Sequence, residues 1–264
     1  MSRTIGDAFA KSPNGKAFIA FITAGDPSLA VTEELVIAMA EEGVDLIELG
    51  IPFSDPTAEG PVIQEANLRA LAGGVTTDDV FDMVSRVRRR GCDVPLVFMT
   101  YANVVFGYGV ERFAAREAAA GMQGIILPDV PFEEKAEFAE PFAEQGLELV
   151  SLIAPTSAER ISTIAADAAG FVYCVSSLGV TGVRSEITTD IGAMVELVRA
   201  ANPNVPVAVG FGISTPEQAA RMAALADGAI TGSATIKIIA AEGESCMDSV
   251  RGYVRAMAEA VHGA

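Results

Sequence analysis

The chain has 264 residues, half of them apolar and a fifth charged, with a formal net charge of −17. One large domain or two small ones, with a sizeable core, are expected from this length and composition. The acidity argues against nucleic acid and against anionic membrane surfaces, whose phosphates would be repelled.

The first stretch, MSRTIGDAFAKSPNG, has no apolar centre of signal-peptide type. A strand is predicted at 17–25 (AFIAFITAG) and a helix over 29–43, with Ser28 or Asp26 as its cap. The strand VDLIELG (44–50) leads into a Pro/Gly-rich loop, GIPFSDPTAEGP, before a helix over 75–91. Strands at 95–101 and 124–130 flank a helix at 109–121, and a helix over 132–146 precedes a strand at 147–155. Helices over 157–170, 190–202 and 215–228 then alternate with strands at 171–177, 205–212 and 227–233, and a helical tail runs over 247–261. Ser157 and the Thr215-Pro216-Glu217 sequence read as helix starts, and Gly43, Gly91, Gly121, Gly146 and Gly170 as helix ends.

Eight strand–helix units in 264 residues give 33 residues each, the size of a βαβ repeat. No hairpin dipeptide joins one strand to the next, and the near-continuous apolar strands call for a parallel sheet covered on both faces. The expected fold is a single (β/α)8 TIM barrel with extra N- and C-terminal helices, one domain over 1–264. An open doubly wound sheet would favour GxGxxG after the first strand, and FITAGDPSLA has none.

Three cysteines lie far apart with no CxxC pair, and His262 is the only histidine, so no metal site or disulfide framework is expected. No uninterrupted apolar run reaches about 18 residues, the length needed to span a membrane. The chain is expected to be soluble and cytoplasmic.

In such barrels the active site lies at the C-terminal ends of the strands. Glu48 falls there, in phase with Val44 and Leu46, and no Lys or Arg lies between Lys16 and Arg69 to pair with it locally. A carboxyl held among apolar neighbours has a raised pKa and can exchange protons near neutral pH; pairing with a distant base or a solvent-facing position are the structural alternatives. Glu59 reads equally as a charge near a helix start or as a second carboxylate over the same mouth. Glycine loops at GVTGV (179–183), GFGIS (210–214) and ITGSA (230–234) offer backbone N–H groups to an anion. The last two follow the seventh and eighth strands, the usual phosphate position of this barrel class.

The segment ELGIPFSDPTAEGPVIQ (48–64) closely resembles the signature of the tryptophan synthase alpha subunit family. FITAGDP (21–27), YANVVFGYG (101–109), LPDVP (127–131), GVTGVR (179–184), GFGIS (210–214) and TGSA (231–234) resemble its other motifs, in the family's order and across essentially the whole chain. The resemblance implies retro-aldol cleavage of indole-3-glycerol phosphate to indole and glyceraldehyde 3-phosphate, with Glu48 carrying protons. It implies phosphate binding at Gly182, Gly212, Gly232 and Ser233, and places Phe21, Phe211 and Ile153 around the indole ring, with Tyr173 beside the active site and Thr181 in a mobile loop. It also implies an α2β2 assembly in which the beta subunit, not this chain, uses pyridoxal phosphate. Pro52, Asp55 and the segment from Asn103 to Gly107 match positions near that interface.

Two departures stand out. The familiar ADGP reads AEGP here, so Glu59 carries one methylene more than the usual aspartate, moving the carboxylate by about 1.5 Å, enough to matter for a positioned group. Ser176-Ser177-Leu178 stands where many members carry a basic residue. A free-standing lyase, or a weakly catalytic chain kept to activate its partner, are the alternatives that sequence leaves open.

Overall fold

The computed structural model describes residues 4–175, 190–210 and 212–264. Among these, eight parallel strands close a barrel in sequence order: β1 (Ala17–Thr23), β2 (Leu46–Gly50), β3 (Leu96–Met99), β4 (Gly124–Ile126), β5 (Glu148–Ile153), β6 (Ala169–Val175), β7 (Val207–Gly210) and β8 (Gly228–Thr231). The predicted (β/α)8 barrel is therefore the observed fold. β1, β2, β3, β7 and β8 are buried along their whole length, because side chains fill the barrel inside and helices cover it outside.

Local signals explain most helix starts. Ser28 accepts from the N–H of Val31, Ser157 from Arg160 and Thr215 from Gln218, the last followed by Pro216 at the first helical position. Asp26 is not a cap: Arg69 grips it through two 2.8 Å hydrogen bonds, tying the loop after β1 to the helix Pro61–Ala72. Helices Thr77–Arg89 and Val110–Ala120 lock over β3 through Phe81, Phe98 and Phe113, with Phe81 and Phe113 edge to face at 5.1 Å.

Three helices escaped the periodicity reading. Pro61–Ala72 inverts its pattern, burying Asn67 while leaving Leu68 60% exposed. Ala102–Tyr108 is short and holds a glycine, and Ser233–Glu242 is apolar on most sides. Gly170 is not a helix end, because the preceding helix stops at Ala166 and Gly170 is the second residue of β6.

The N-terminal end of the barrel is closed structurally. The helix Ile5–Ala10 sets Phe9 against Phe171 at 5.7 Å. The C-terminal helix Met247–His262 ends with the His262 ring 2.7 Å from Asp45, whose carboxylate also accepts from the N–H of Phe18 at 2.8 Å. The lone histidine is thus committed at the end of the barrel opposite the expected chemistry. Among the described residues no group of His, Cys, Asp and Glu could hold a metal ion, and no helix is long and apolar enough to cross a membrane.

Candidate active site

The run 44–50 carries two acids with different surroundings. Asp45 precedes β2, faces the N-terminal end and is satisfied by His262 and a backbone N–H. Glu48 lies within β2, 1% exposed, and its Oε1 has no hydrogen-bond partner among the described residues. Without a compensating charge, burial alone pushes its carboxyl up to about 8. Near neutral pH it can therefore give or take a proton.

Sheet register places its neighbours. Glu48 pairs with Phe21 on β1 and Val97 on β3, and paired residues of adjacent parallel strands share a face. Phe21 is 3% exposed, and two glycines make room for it: a Cβ at Gly50 would stand 2.7 Å from its ring tip, and one at Gly232 3.3 Å from its Cβ. Tyr173 on β6 is buried and has its hydroxyl over Gly210, where a Cβ would meet it at 2.4 Å. Its own pKa is driven well upward by burial and then by the nearby charge of Glu48, which brings Tyr173 and Glu48 to the same interior.

One neighbour is corrected. Ile153 pairs with Cys174, on the face opposite Tyr173, whereas Leu152 pairs with Tyr173. By this register Leu152, rather than the Ile153 that the family resemblance implied, shares the face of Tyr173.

Glu59 precedes the helix Pro61–Ala72 but does not act as an exposed charge at its start. It is 4% exposed, and its Oε2 accepts from Asn67 Nδ2 at 2.6 Å while its carbonyl accepts from Gln64 at 2.7 Å. The Tyr101 hydroxyl accepts from the N–H of Ala58, the residue before Glu59, at 3.3 Å. Burial raises the Glu59 carboxyl to about 7, with Asn67 and Tyr101 holding it from rising further. Asn67 and Tyr101 were missed by sequence reasoning. Tyr101 carried a usable signal, a polar group just past the end of an apolar strand, the same position logic that singled out Glu48.

Burial by itself does not mark the site. Glu117 is fully buried with both carboxylate oxygens unpartnered among the described residues, and its pKa is also driven upward. It lies in the helix Val110–Ala120 of the outer layer, away from the strand ends.

The glycines of the expected phosphate region fall at strand ends. Gly212 follows β7 with φ 82°, and Gly232 is the N-cap of Ser233–Glu242, a helix start with no side-chain cap among the described residues. Its first-turn N–H groups, Ser233 among them, are therefore not taken up by a capping side chain. Thr181, Gly182, Phe211 and the Ser176-Ser177-Leu178 departure lie outside the described residues. Of the expected interface residues, Pro52 is buried, whereas Asp55 and Asn103 are exposed.

A family-wide sequence profile described as Tryptophan synthase alpha chain matches residues 8–262. The tryptophan synthase alpha chain of Geobacter sulfurreducens is 52% identical over 240 residues, covering 90% of each chain. That of Lactiplantibacillus plantarum is 47% identical over 251 residues, covering 95% of this chain and 94% of the other. Among solved structures, a chain of Mycobacterium tuberculosis tryptophan synthase superposes with a TM-score of 0.88 at 33% identity, covering 99% of each. A chain from a study of mutual activation in the α2β2 tryptophan synthase complex of Pyrococcus furiosus gives 0.81 at 36% identity, covering 93% of this chain and 98% of that one. With the barrel, the buried carboxylates at its strand ends and relatives of this similarity end to end, the chain belongs to the tryptophan synthase alpha chain family, lyases that cleave indole-3-glycerol phosphate to indole and glyceraldehyde 3-phosphate.

Proposed function

We propose that Glu48 is the proton-carrying catalytic group of this cleavage and Glu59 its electrostatic partner. The observation that carries the assignment is Glu48 itself: a buried carboxyl without an ion-pair partner, on the interior of the barrel beside Phe21 and Tyr173, with its pKa at about 8. In its neutral form it donates a proton to indole C3, giving an indolenine-like cation. The resulting carboxylate accepts the proton of the glycerol C3′ hydroxyl. As that oxygen becomes the aldehyde carbonyl, the carbon–carbon bond breaks and its electron pair returns to the indole ring. The ionised form of Glu59 stabilises the positive charge that develops at the indole nitrogen.

Phe21 and Tyr173 bound the ring site, and the uncapped start of the helix Ser233–Glu242, with Gly212 and Gly232, receives the phosphate. Backbone donors suffice there, which fits a loop set that carries no lysine clamp. Pyridoxal phosphate belongs to the beta subunit in this reading. Lys16 donates to the carbonyl of Ala226 at 2.7 Å, below β1, and Lys237 is an exposed helix residue, so neither is placed to carry an imine at the strand ends. The chain works in the cytoplasm as half of an α2β2 enzyme, with Pro52, Asp55 and Asn103 near the beta subunit.

Indole release from indole-3-glycerol phosphate by the purified chain, with and without its beta subunit, tests the function. Slow release alone and large acceleration on mixing are expected, and Glu48→Gln should abolish release while leaving substrate binding largely intact. Full activity without the partner would make the chain a free-standing lyase. Retained activity in Glu48→Gln would overturn the assignment of Glu48.

A further inference from the structure

Tyr101 touches the loop after β2 at two points. Its ring packs 5.4 Å from that of Phe53, and its hydroxyl oxygen accepts from the N–H of Ala58, the residue before Glu59, at 3.3 Å. It is 1% exposed, so this arrangement is held by packing on every side. The residue after it opens the helix Ala102–Tyr108, which presents exposed Asn103 and a half-exposed Phe106, and the N–H of Ala102 is fixed by the Asp129 carboxylate at 3.1 and 3.2 Å. One buried side chain therefore joins the loop that carries Glu59 to the base of a surface helix.

We propose that Tyr101 is a positioning residue that sets the orientation of the Glu59 carboxylate and links it mechanically to the exposed helix Ala102–Tyr108. The inference rests on the reading of Glu59 as a participating carboxylate. Asn67 from the helix after β2 holds the Glu59 carboxylate, and Tyr101 from the end of β3 grips the loop backbone one residue before it. Displacing the helix Ala102–Tyr108 shifts Tyr101 directly, because no residue intervenes between them. Contact on that surface then reaches the loop at Ala58 through a single hydroxyl, and Glu59 with it. No charged side chain among the described residues perturbs Glu59, and the further titratable group nearby is Asp129, whose charge acts on Tyr101.

The test is Tyr101→Phe in the intact complex with the beta subunit. The substitution keeps the ring against Phe53 and removes only the hydroxyl. A misplaced catalytic group of this kind is expected to lower kcat by about 10- to 100-fold with KM within about two-fold. Because Tyr101 favours the ionised form of Glu59, loss of its hydroxyl should also move the acid limb of the kcat/KM profile upward by about half a pH unit or more. A merely structural role would lower activity without moving that limb.

Glu59→Gln separates the two readings. If it leaves the rate and profile unchanged, Glu59 is not a participant and the inference falls with that reading. If it impairs the rate while Tyr101→Phe keeps wild-type kcat and profile, the positioning inference alone is overturned. A carboxyl-carbon NMR titration of the glutamate-labelled chain, with the Glu59 signal assigned by its loss in Glu59→Gln, reads the same shift without turnover. An unchanged Glu59 titration in Tyr101→Phe would also overturn the inference.

Discussion

Replacing Glu48 by glutamine keeps the shape of the side chain and removes its proton chemistry, so function and stability should move in opposite directions. In the folded chain the Glu48 carboxyl titrates at about 8, against an ordinary value of 4.5. The raised folded value means that the folded state holds a proton which the unfolded chain releases. The associated stability is fully present below pH 4.5 and is lost progressively as pH rises to about 8. At about 1.4 kcal/mol per pH unit, wild type should lose about 3 kcal/mol relative to Glu48→Gln between pH 5.5 and pH 8.5, with other groups cancelling between the two proteins. Urea unfolding followed by circular dichroism at several pH values measures the difference. A gap that stays constant across this range, or that closes toward alkaline pH, would refute the reasoning that Glu48 is buried without a compensating charge.

Glu59 at about 7 must be ionised and Glu48 at about 8 must be protonated for the first proton transfer, so kcat/KM should be bell-shaped with limbs near those values. A steady-state pH profile checks this, and a monotonic rise through pH 9 would exclude Glu48 as the acid. Glu59→Ala should lower kcat by about 100-fold or more, measured as indole release. Gly210→Ala should displace the Tyr173 hydroxyl, which a Cβ would meet at 2.4 Å, costing about 1–3 kcal/mol and raising KM; urea unfolding and indole-release kinetics check the two effects. His262→Ala, at the opposite end of the barrel, should lower stability by about 1 kcal/mol and leave kcat unchanged, which urea unfolding and kinetics read together.

The barrel was legible because its evidence is periodic. Eight apolar runs separated by capped helices specify parallel strands, and the caps at Ser28, Ser157 and Thr215 formed where read. The helix Pro61–Ala72 was not legible because two of its residues answer to neighbouring loops rather than to the core. Asn67 turns inward to reach Glu59, and Arg69 reaches Asp26. The same tertiary demand that hid this helix created the surroundings of Glu59. Ile153 was placed by family resemblance alone, and strand pairing sets Leu152 instead opposite Tyr173.

Four buried or half-buried acids show what separates a structural carboxylate from one suited to chemistry. Asp45 is paired with a histidine and a backbone N–H, and its position at the N-terminal end keeps it far from any strand-end cleft. Glu117 is desolvated, yet it lies in the helical layer and not on a barrel strand. Glu48 combines desolvation with a place on the barrel interior next to an aromatic ring and a tyrosine. Glu59 is raised less, because Asn67 and Tyr101 favour its ionised form. Both carboxyls at the mouth are thus raised, Glu59 less than Glu48, so Glu48 keeps its proton at a pH where Glu59 begins to release its own. A cleavage that begins by protonating a carbon while positive charge grows on an adjacent ring needs that division.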